Sequence, residues 1–304
     1  MKFLKIMRPS HWIKNVFLFA ALIFGKKLFL PIDEMLLMLG SALGAFFCFS
    51  MAASAMYIFN DIIDREADSL HPQKSRRPIA AGDVSVASAA AMALLCAIVA
   101  IAGSVALARS FAVIIVTYMA MMIGYSLVFK RMLILDCIII SIGFCLRAVA
   151  GAVVVGVFIS PWLIICTFAL CLFLAFSKRR SEIAQLGDIS ESFRKTLAGY
   201  TPELLAHMLD VTSGLAVLCF LLYSMDERTI KVFGTNNFVY TTPLVLYCVF
   251  RFSALTQVGK YPGPVELIIK DRPFQIGFLL WGLSCLVIIY ANHFGVSLAD
   301  LWVY

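Results

Sequence analysis

Charge is scarce in this chain. Asp, Glu, Lys and Arg make up 14% of its 304 residues, against roughly 25% in an ordinary soluble domain. Histidine is scarcer still. His11, His71, His207 and His293 lie far apart, which gives no zinc-ligand spacing. The nine cysteines form no CxxC pair and all sit inside apolar runs, so they read as small hydrophobes at helix contacts. No polar stretch is long enough to fold as a separate soluble domain. These absences exclude a soluble enzyme, a disordered chain and a secreted disulfide scaffold.

Apolar sequence is what the chain has in abundance. Hydrophobic residues make up 62% of it, and the mean hydropathy is +0.94. They come in blocks, and a span needs about 20 apolar residues to cross ~30 Å of hydrocarbon. The hydropathy predicts an all-α, polytopic membrane protein forming one domain over residues 1–304. Nine spans are expected: Asn15 to Leu30, Met35 to Phe59, Val84 to Ala108, Phe111 to Phe129, Leu133 to Val157, Ser160 to Phe176, Leu204 to Met225, Phe238 to Val258, and Phe274 to His293. The N-terminal run follows Lys2, Lys5 and Arg8 like a signal peptide. It lacks a small-residue cleavage site before a polar start, so it is expected to stay as the first span.

The cations set the orientation. With the N-terminus inside, Lys2, Lys5, Arg8, Lys14, Arg65, Lys74, Arg76, Arg77, Lys130, Arg131, Lys178, Arg179, Arg180, Arg194, Lys195, Lys260, Lys270 and Arg272 share one side. Only Lys26, Lys27, Arg109, Arg228 and Lys231 fall on the other. Cations collect on the cytoplasmic side, so the expectation is N-in and C-out. Topology then accounts for the net charge of +7, and no nucleic-acid partner is expected. Most acidic residues fall inside too, which the positive-inside rule does not explain. A face rich in both signs suits carboxylates for a metal and cations for phosphates.

Five polar clusters carry the chemistry. In the first, Asn60, Asp61, Asp64 and Asp68 close the second span. Their spacing would set three carboxylates on one helix face over two turns. Oxygen ligands without His or Cys suit Mg²⁺, which takes one or two carboxylates plus substrate phosphates. In the second, Lys74, Arg76 and Arg77 follow within ten residues, in a loop broken by Pro72, Pro78 and Gly82. They can hold diphosphate oxygens, Arg bidentately, or simply mark the inner side. The third is Tyr125, Lys130 and Arg131 with Asp136 beyond. Arg147 lies on the same helix face as Asp136 and ~16 Å deeper at 1.5 Å per residue. An intramembrane Arg is costly, and this one serves either an anion or a buried structural pair. The fourth is Lys178, Arg179, Arg180 and Glu182, at a helix end that either binds phosphate or anchors to anionic lipid. The fifth is Asp271 and Arg272 after a Pro/Gly-rich turn. Asp271 would order a metal shell or a substrate hydroxyl, or cap a helix.

The motif Asn60-Asp61-x-x-Asp64-x-x-x-Asp68 resembles the first Asp-rich motif of the UbiA superfamily of intramembrane prenyltransferases. The resemblance covers essentially the whole chain. It implies nine transmembrane helices around a central cavity, with the Asp-rich motifs on the cytoplasmic side. A narrower resemblance, to the decaprenyl-phosphate phosphoribosyltransferase branch, rests on several linked motifs. They are Arg8-Pro9-x-x-Trp12-x-Lys14-Asn15; NDIIDREADSLHPQKSRRPIAAG; YS-x-x-x-K with Asp136; the GFxxRxxAG run from Gly143 to Gly151; KRRSE; and the late Lys-Asp-Arg run. The second Asp-rich motif of the aromatic prenyltransferases is replaced here by KRRSE. That departure argues against a symmetric two-motif metal site.

The branch resemblance implies Mg²⁺-dependent transfer of phosphoribose from phosphoribosyl diphosphate to a polyprenyl phosphate. On this reading Asn60, Asp61, Asp64 and Asp68 hold the metal. Lys14, Lys74, Arg76, Arg77, Tyr125, Lys130, Arg131, Arg147, Lys178, Arg179, Arg180, Glu182, Asp271 and Arg272 contact substrate, and Asp61, Asp64 and Asp136 are the catalytic acids. Asp136 would bind a ribose hydroxyl or assist the metal. The expected setting is a bacterial inner membrane, in cell-wall biosynthesis, and a homo-oligomer is compatible with the sequence. The competing readings are an aromatic prenyltransferase of the same superfamily and a transporter of an anionic substrate. Crowding of charge at one face, not at the midplane, and the absence of an internal repeat speak against transport.

Overall fold

The structure is a computed structural model. It describes residues 2–25, 31–70, 74–186, 199–261 and 263–290. The expectations placed on Lys26, Lys27, His71, Arg194, Lys195 and His293 fall outside these residues.

Every regular element among the described residues is helical. The α-helices are α1 (Lys2–Met7), α2 (Ala20–Phe24), α3 (Ile32–Ile63), α4 (Arg65–Ser69), α5 (Val86–Leu107), α6 (Arg109–Leu127), α7 (Leu135–Val155), α8 (Pro161–Leu186), α9 (Pro202–Met225), α10 (Glu227–Phe233), α11 (Thr242–Val258), α12 (Pro264–Lys270) and α13 (Arg272–Tyr290). Short 3₁₀ segments join several of them. Eight stretches are long and apolar enough to cross a membrane. They coincide with the second to ninth expected spans, shifted by a few residues at each end. Of the first expected span, the described part, Asn15 to Gly25, falls in a 3₁₀ segment over Pro9–Phe19 and in the five residues of α2 with their C-cap Gly25; the rest lies outside the described residues. Arg8, in the left-handed region with φ 52°, and Pro9 start the 3₁₀ segment, and its pitch is tighter than that of an α-helix.

Large apolar side chains face outward all along the spans: Leu37 is 72% exposed, Val113 66% and Leu279 62%. In water such a surface would associate, whereas lipid is a good solvent for it. Two helices run longer than a bilayer needs. α3 has 32 residues and α8 has 26, against about 20 for a span. Their surplus turns carry the Asp-rich and KRRSE motifs beyond the apolar stretch.

The chain divides into two compact units, Met1–Phe158 and Ile159–Tyr304. In the first, Leu18, Phe49, Ala52, Phe111, Ile115, Tyr118 and Ala150 form a buried core. The 3₁₀ segment crosses α7 at Gly151, where a Cβ would stand 2.1 Å from the Leu18 carbonyl oxygen. Only glycine permits that approach. In the second unit, Phe173 packs on Phe252 with ring centroids 5.3 Å apart, and Phe252 on Phe274 at 5.8 Å. The Ser177 and Thr256 hydroxyls are hydrogen-bonded at 2.9 Å between α8 and α11.

Candidate functional site

The Asp-rich motif sits where α3 ends. The helix is interrupted at Asp64, with ψ 4°, before α4 resumes. Interruption eases the repulsion of like charges on neighbouring turns. Among the described residues no three His, Cys, Asp or Glu side chains converge as a metal cage. The acidic groups divide into two sets, each with its own cations.

The first set is Asp61 and Asp68, both buried. Arg8 Nη2 donates to Asp61 Oδ1 at 2.5 Å and to Oδ2 at 2.7 Å. Arg77 Nη1 donates to Asp61 Oδ1 at 3.0 Å and to Asp68 Oδ2 at 2.5 Å. One guanidinium nitrogen thus stands between the two carboxylates. The second set is Asn60 and Asp64, where Asn60 Nδ2 donates to Asp64 Oδ2 at 3.0 Å. Lys130 Nζ, arriving from the turn between α6 and α7, donates to Asp64 Oδ1 at 2.5 Å and to Asn60 Oδ1 at 3.3 Å. Buried carboxylates need such partners, and removing one partner of a buried pair costs about 3–5 kcal/mol. The turn that delivers Lys130 is closed by Ile134, a β-branched residue at φ 67°. Strain of this kind persists only where its surroundings impose it.

Two glycine- and proline-marked motifs meet beneath these carboxylates. Trp12 Nε1 donates to Ser54 Oγ at 3.0 Å, and Ser54 Oγ donates to the Met7 carbonyl at 2.8 Å. Asn15 Nδ2 donates to Ser50 Oγ at 2.9 Å. Arg147 Nε donates to Asn15 Oδ1 at 2.7 Å, Nη1 to the Gly143 carbonyl at 2.6 Å and Nη2 to the Tyr118 hydroxyl at 3.0 Å. The rings of Phe49, Tyr118 and Phe144 lie about it, with centroids 4.9 to 5.3 Å from its guanidinium carbon. Arg147 therefore ties the 3₁₀ segment, α6 and α7 together through neutral acceptors, a third arrangement besides the anion contact and the ion pair that the sequence offered. Lys14, one residue before Asn15, is half-buried. Burial first, then the positive charges of Arg147 and Arg8, lower its pKa to about 8.

The remaining predicted residues are placed as follows. Lys74 and Tyr125 are half-buried, Arg76 and Arg131 are exposed, and Asp136 is fully buried at the start of α7. In the second unit, buried Arg179 donates to Glu182 at 2.6 Å, Lys178 is exposed, and Arg180 donates to the Pro202 carbonyl at 3.2 Å. Asp271 is committed within its own unit. It accepts from Arg251 Nε at 2.6 Å and Nη2 at 3.0 Å, and from the Tyr261 hydroxyl at 3.3 Å. It also caps α13 by accepting from the Phe274 N–H at 2.9 Å. Those bonds, Arg251's foremost, hold its pKa down at about 2. Arg272 is exposed.

Sequence reasoning quoted Arg8 and Asn15 within a motif but assigned them no role. It missed Tyr57, over whose ring Arg8 lies at 5.4 Å. The signal for Tyr57 was its place three and four residues before Asn60 and Asp61, on the same helix face.

A helical membrane protein that joins an Asp-rich helix end to several fixed cations has the makings of a transferase for diphosphate substrates. Residues 16–261 match the model of the UbiA prenyltransferase family, and the chain belongs to that family. It is 31% identical to a decaprenyl-phosphate phosphoribosyltransferase of Mycolicibacterium smegmatis, over 91% of this chain and 89% of the relative. It is 29% identical to a protein of the same name from Corynebacterium glutamicum, over 94% and 86% of the two chains. The fold matches a UbiA homologue from Archaeoglobus fulgidus, solved with GPP and Mg²⁺, at a TM-score of 0.68 and 19% identity, covering 95% of this chain and 99% of that one.

Asn60, Asp61, Asp64 and Asp68 offer only oxygen donors, the kind that suits Mg²⁺, and Asp64 is the most open of the three carboxylates, its side chain 29% exposed. The donor set fits a divalent ion.

Proposed function

We propose that this chain transfers 5-phosphoribose from phosphoribosyl diphosphate to a polyprenyl phosphate at the cytoplasmic face of the cell membrane. The reading is carried by the cations gathered on one carboxylate cluster: Arg8, Arg77 and Lys130 touch it directly, and Lys14 feels the charge of Arg8. The near-full-length likeness to the named phosphoribosyltransferases supports it.

The donor brings a diphosphate on the anomeric carbon and a 5-phosphate; the acceptor brings a lipid phosphate. In the reaction the bond from C1 to the diphosphate oxygen breaks, and an oxygen of the lipid phosphate bonds to C1. Negative charge builds on the leaving diphosphate. Fixed guanidiniums and ammonium groups that meet that charge lower the barrier. Arg8 and Arg77, held by their carboxylates, would meet that charge, with Lys74 and Arg76 in the same loop. Lys130 and Arg131, with Tyr125 and Asp136 around their turn, and Lys14 would share the two remaining phosphates. Mg²⁺ bound at the Asp-rich motif would neutralise diphosphate oxygens as a Lewis acid. The acceptor is anionic at neutral pH, so no strong general base is needed. That agrees with the scattered histidines and the apolar setting of the cysteines.

The test uses purified protein, Mg²⁺, donor labelled in the ribose, and a polyprenyl phosphate. Label entering the organic phase, dependent on Mg²⁺ and lost in Asp64→Ala, is the expected result. No label across several chain lengths with folded protein would overturn it. Prenyl diphosphates with aromatic acceptors would then be the substrates to try, as the fold shared with a GPP-bound homologue suggests.

A further inference from the structure

The three carboxylates of the Asp-rich motif are not equivalent. Asp61 and Asp68 side chains are 5% and 6% exposed, and Asp64 is 29% exposed. The two buried ones are held by guanidiniums, the open one by a lysine and an amide. Arg77 Nη1 bonds both Asp61 Oδ1 and Asp68 Oδ2, so it stands where an ion shared by those two residues would have to stand. Mg²⁺ binds oxygen at 2.0–2.1 Å in near-octahedral geometry. It cannot share that space with a second positive group.

The guanidiniums keep donors in hand. Arg77 spends only Nη1, and Arg8 only Nη2, on the carboxylates. Nε and the other terminal nitrogen of each have no hydrogen-bond acceptor among the described residues. A guanidinium fixed on one edge and open on the other is preset for bidentate contact with phosphate oxygens. Lysine, by contrast, is a flexible point charge that changes partner readily. Lys130 is therefore the partner suited to exchange Asp64 for a phosphate.

We infer that the motif divides its labour: Asp61 and Asp68 are positioning residues that hold Arg8 and Arg77 for the leaving diphosphate, while the divalent ion is held by Asp64 with Asn60. Arg8 enters the site as a diphosphate contact, although it lies 53 residues before Asp61 in sequence. This rests on the reading that the donor carries a diphosphate, but not on which group that diphosphate leaves.

The experiment reads metal and diphosphate separately. Mn²⁺ binding to the purified full-length protein is followed by electron paramagnetic resonance, with and without inorganic diphosphate. Asp64→Asn should weaken Mn²⁺ by about tenfold or more, the loss of a charge-assisted contact. Asp61→Asn and Asp68→Asn should leave Mn²⁺ affinity within about threefold yet weaken diphosphate about tenfold. Arg77→Lys should match Asp68→Asn, and the pair combined should be no worse than either alone, since both act through one contact. Mn²⁺ weakened as much by Asp61→Asn or Asp68→Asn as by Asp64→Asn would overturn the inference. Melting curves establish folding for each variant, and Arg77→Lys with Asp68→Asn carries the test if Asp61→Asn does not fold. Inorganic diphosphate serves for either donor class. A missing phosphoribosyl turnover with this binding pattern intact would therefore count against the proposed function alone.

Discussion

Lys14 is a half-buried ammonium one residue from the asparagine that holds Arg147. With its pKa lowered to about 8 by burial and by Arg147 and Arg8, it is mostly charged at pH 7 and mostly neutral at pH 9. An anion bound beside it favours the charged form, so binding takes up a proton. On the proposed function, KM for one anionic substrate should rise about tenfold between pH 7 and 9, with a smaller change in kcat. Lys14→Arg keeps its charge across that range and should flatten the profile. An unchanged profile in the variant would assign the titration to another group.

Asp271 gives the opposite sign. Its folded pKa of about 2 lies below the ordinary carboxylate value of about 3.9. Its bonds to Arg251 and to the α13 N-terminus therefore stabilise the protein fully above about pH 4 and are lost as pH falls through about 2. Asp271→Asn should lower Tm at pH 7, and the gap to the parent protein should narrow as the pH approaches 2. Thermal melts in detergent at several pH values measure this, and a gap that stays constant with pH would refute the linkage. Of the roles that the sequence offered for Asp271, the helix cap is the one the structure shows.

At the scale of elements, the spans were legible because hydrophobic runs of about 20 residues have few other uses. Eight of them fall where hydropathy puts them. In the described part of the first, the helix pitch was not legible, because a 3₁₀ segment begun by Arg8 and Pro9 looks the same by composition. The site was legible by type. Asn60, Asp61, Asp64, Asp68, Arg77 and Lys130 were all named from sequence, and the structure brings them together. Their pairing was not legible, because the interruption at Asp64 and the return of Arg8 across 53 positions depend on tertiary packing. The GFxxRxxAG run acquires a meaning only in three dimensions. Gly143 and Arg147 share a hydrogen bond, and Gly151 admits the 3₁₀ backbone. Gly151→Ala should therefore force the Leu18 carbonyl aside and cost about 1–3 kcal/mol. Gly214→Ala is the contrast, since nothing lies within 4 Å of its Cβ position in α9. There the change should be neutral or stabilise by roughly 0.5–1 kcal/mol. Melting temperatures of the two variants decide it, and equal shifts would remove the special role of Gly151.

At the scale of the whole molecule, function depends on sidedness. On the proposed function, a polar donor with three phosphates cannot cross ~30 Å of hydrocarbon, so the Asp-rich end of α3 must face the compartment that supplies it. By the positive-inside rule, the proposed function expects that end inside. Arg76 lies in the loop after the Asp-rich motif, and Arg109 opens α6 at the far end of α5, one span away. Both are exposed. The native cysteines are buried except for half-buried Cys166, so an introduced thiol can be read against a low background. In intact spheroplasts, a membrane-impermeant maleimide should label Arg109→Cys at once and Arg76→Cys only after permeabilisation. Inside-out vesicles should give the reverse order. Labelling of Arg76→Cys in intact spheroplasts would invert the topology. It would also put the carboxylates, and every cation bonded to them, on the face that a cytoplasmic diphosphate never reaches.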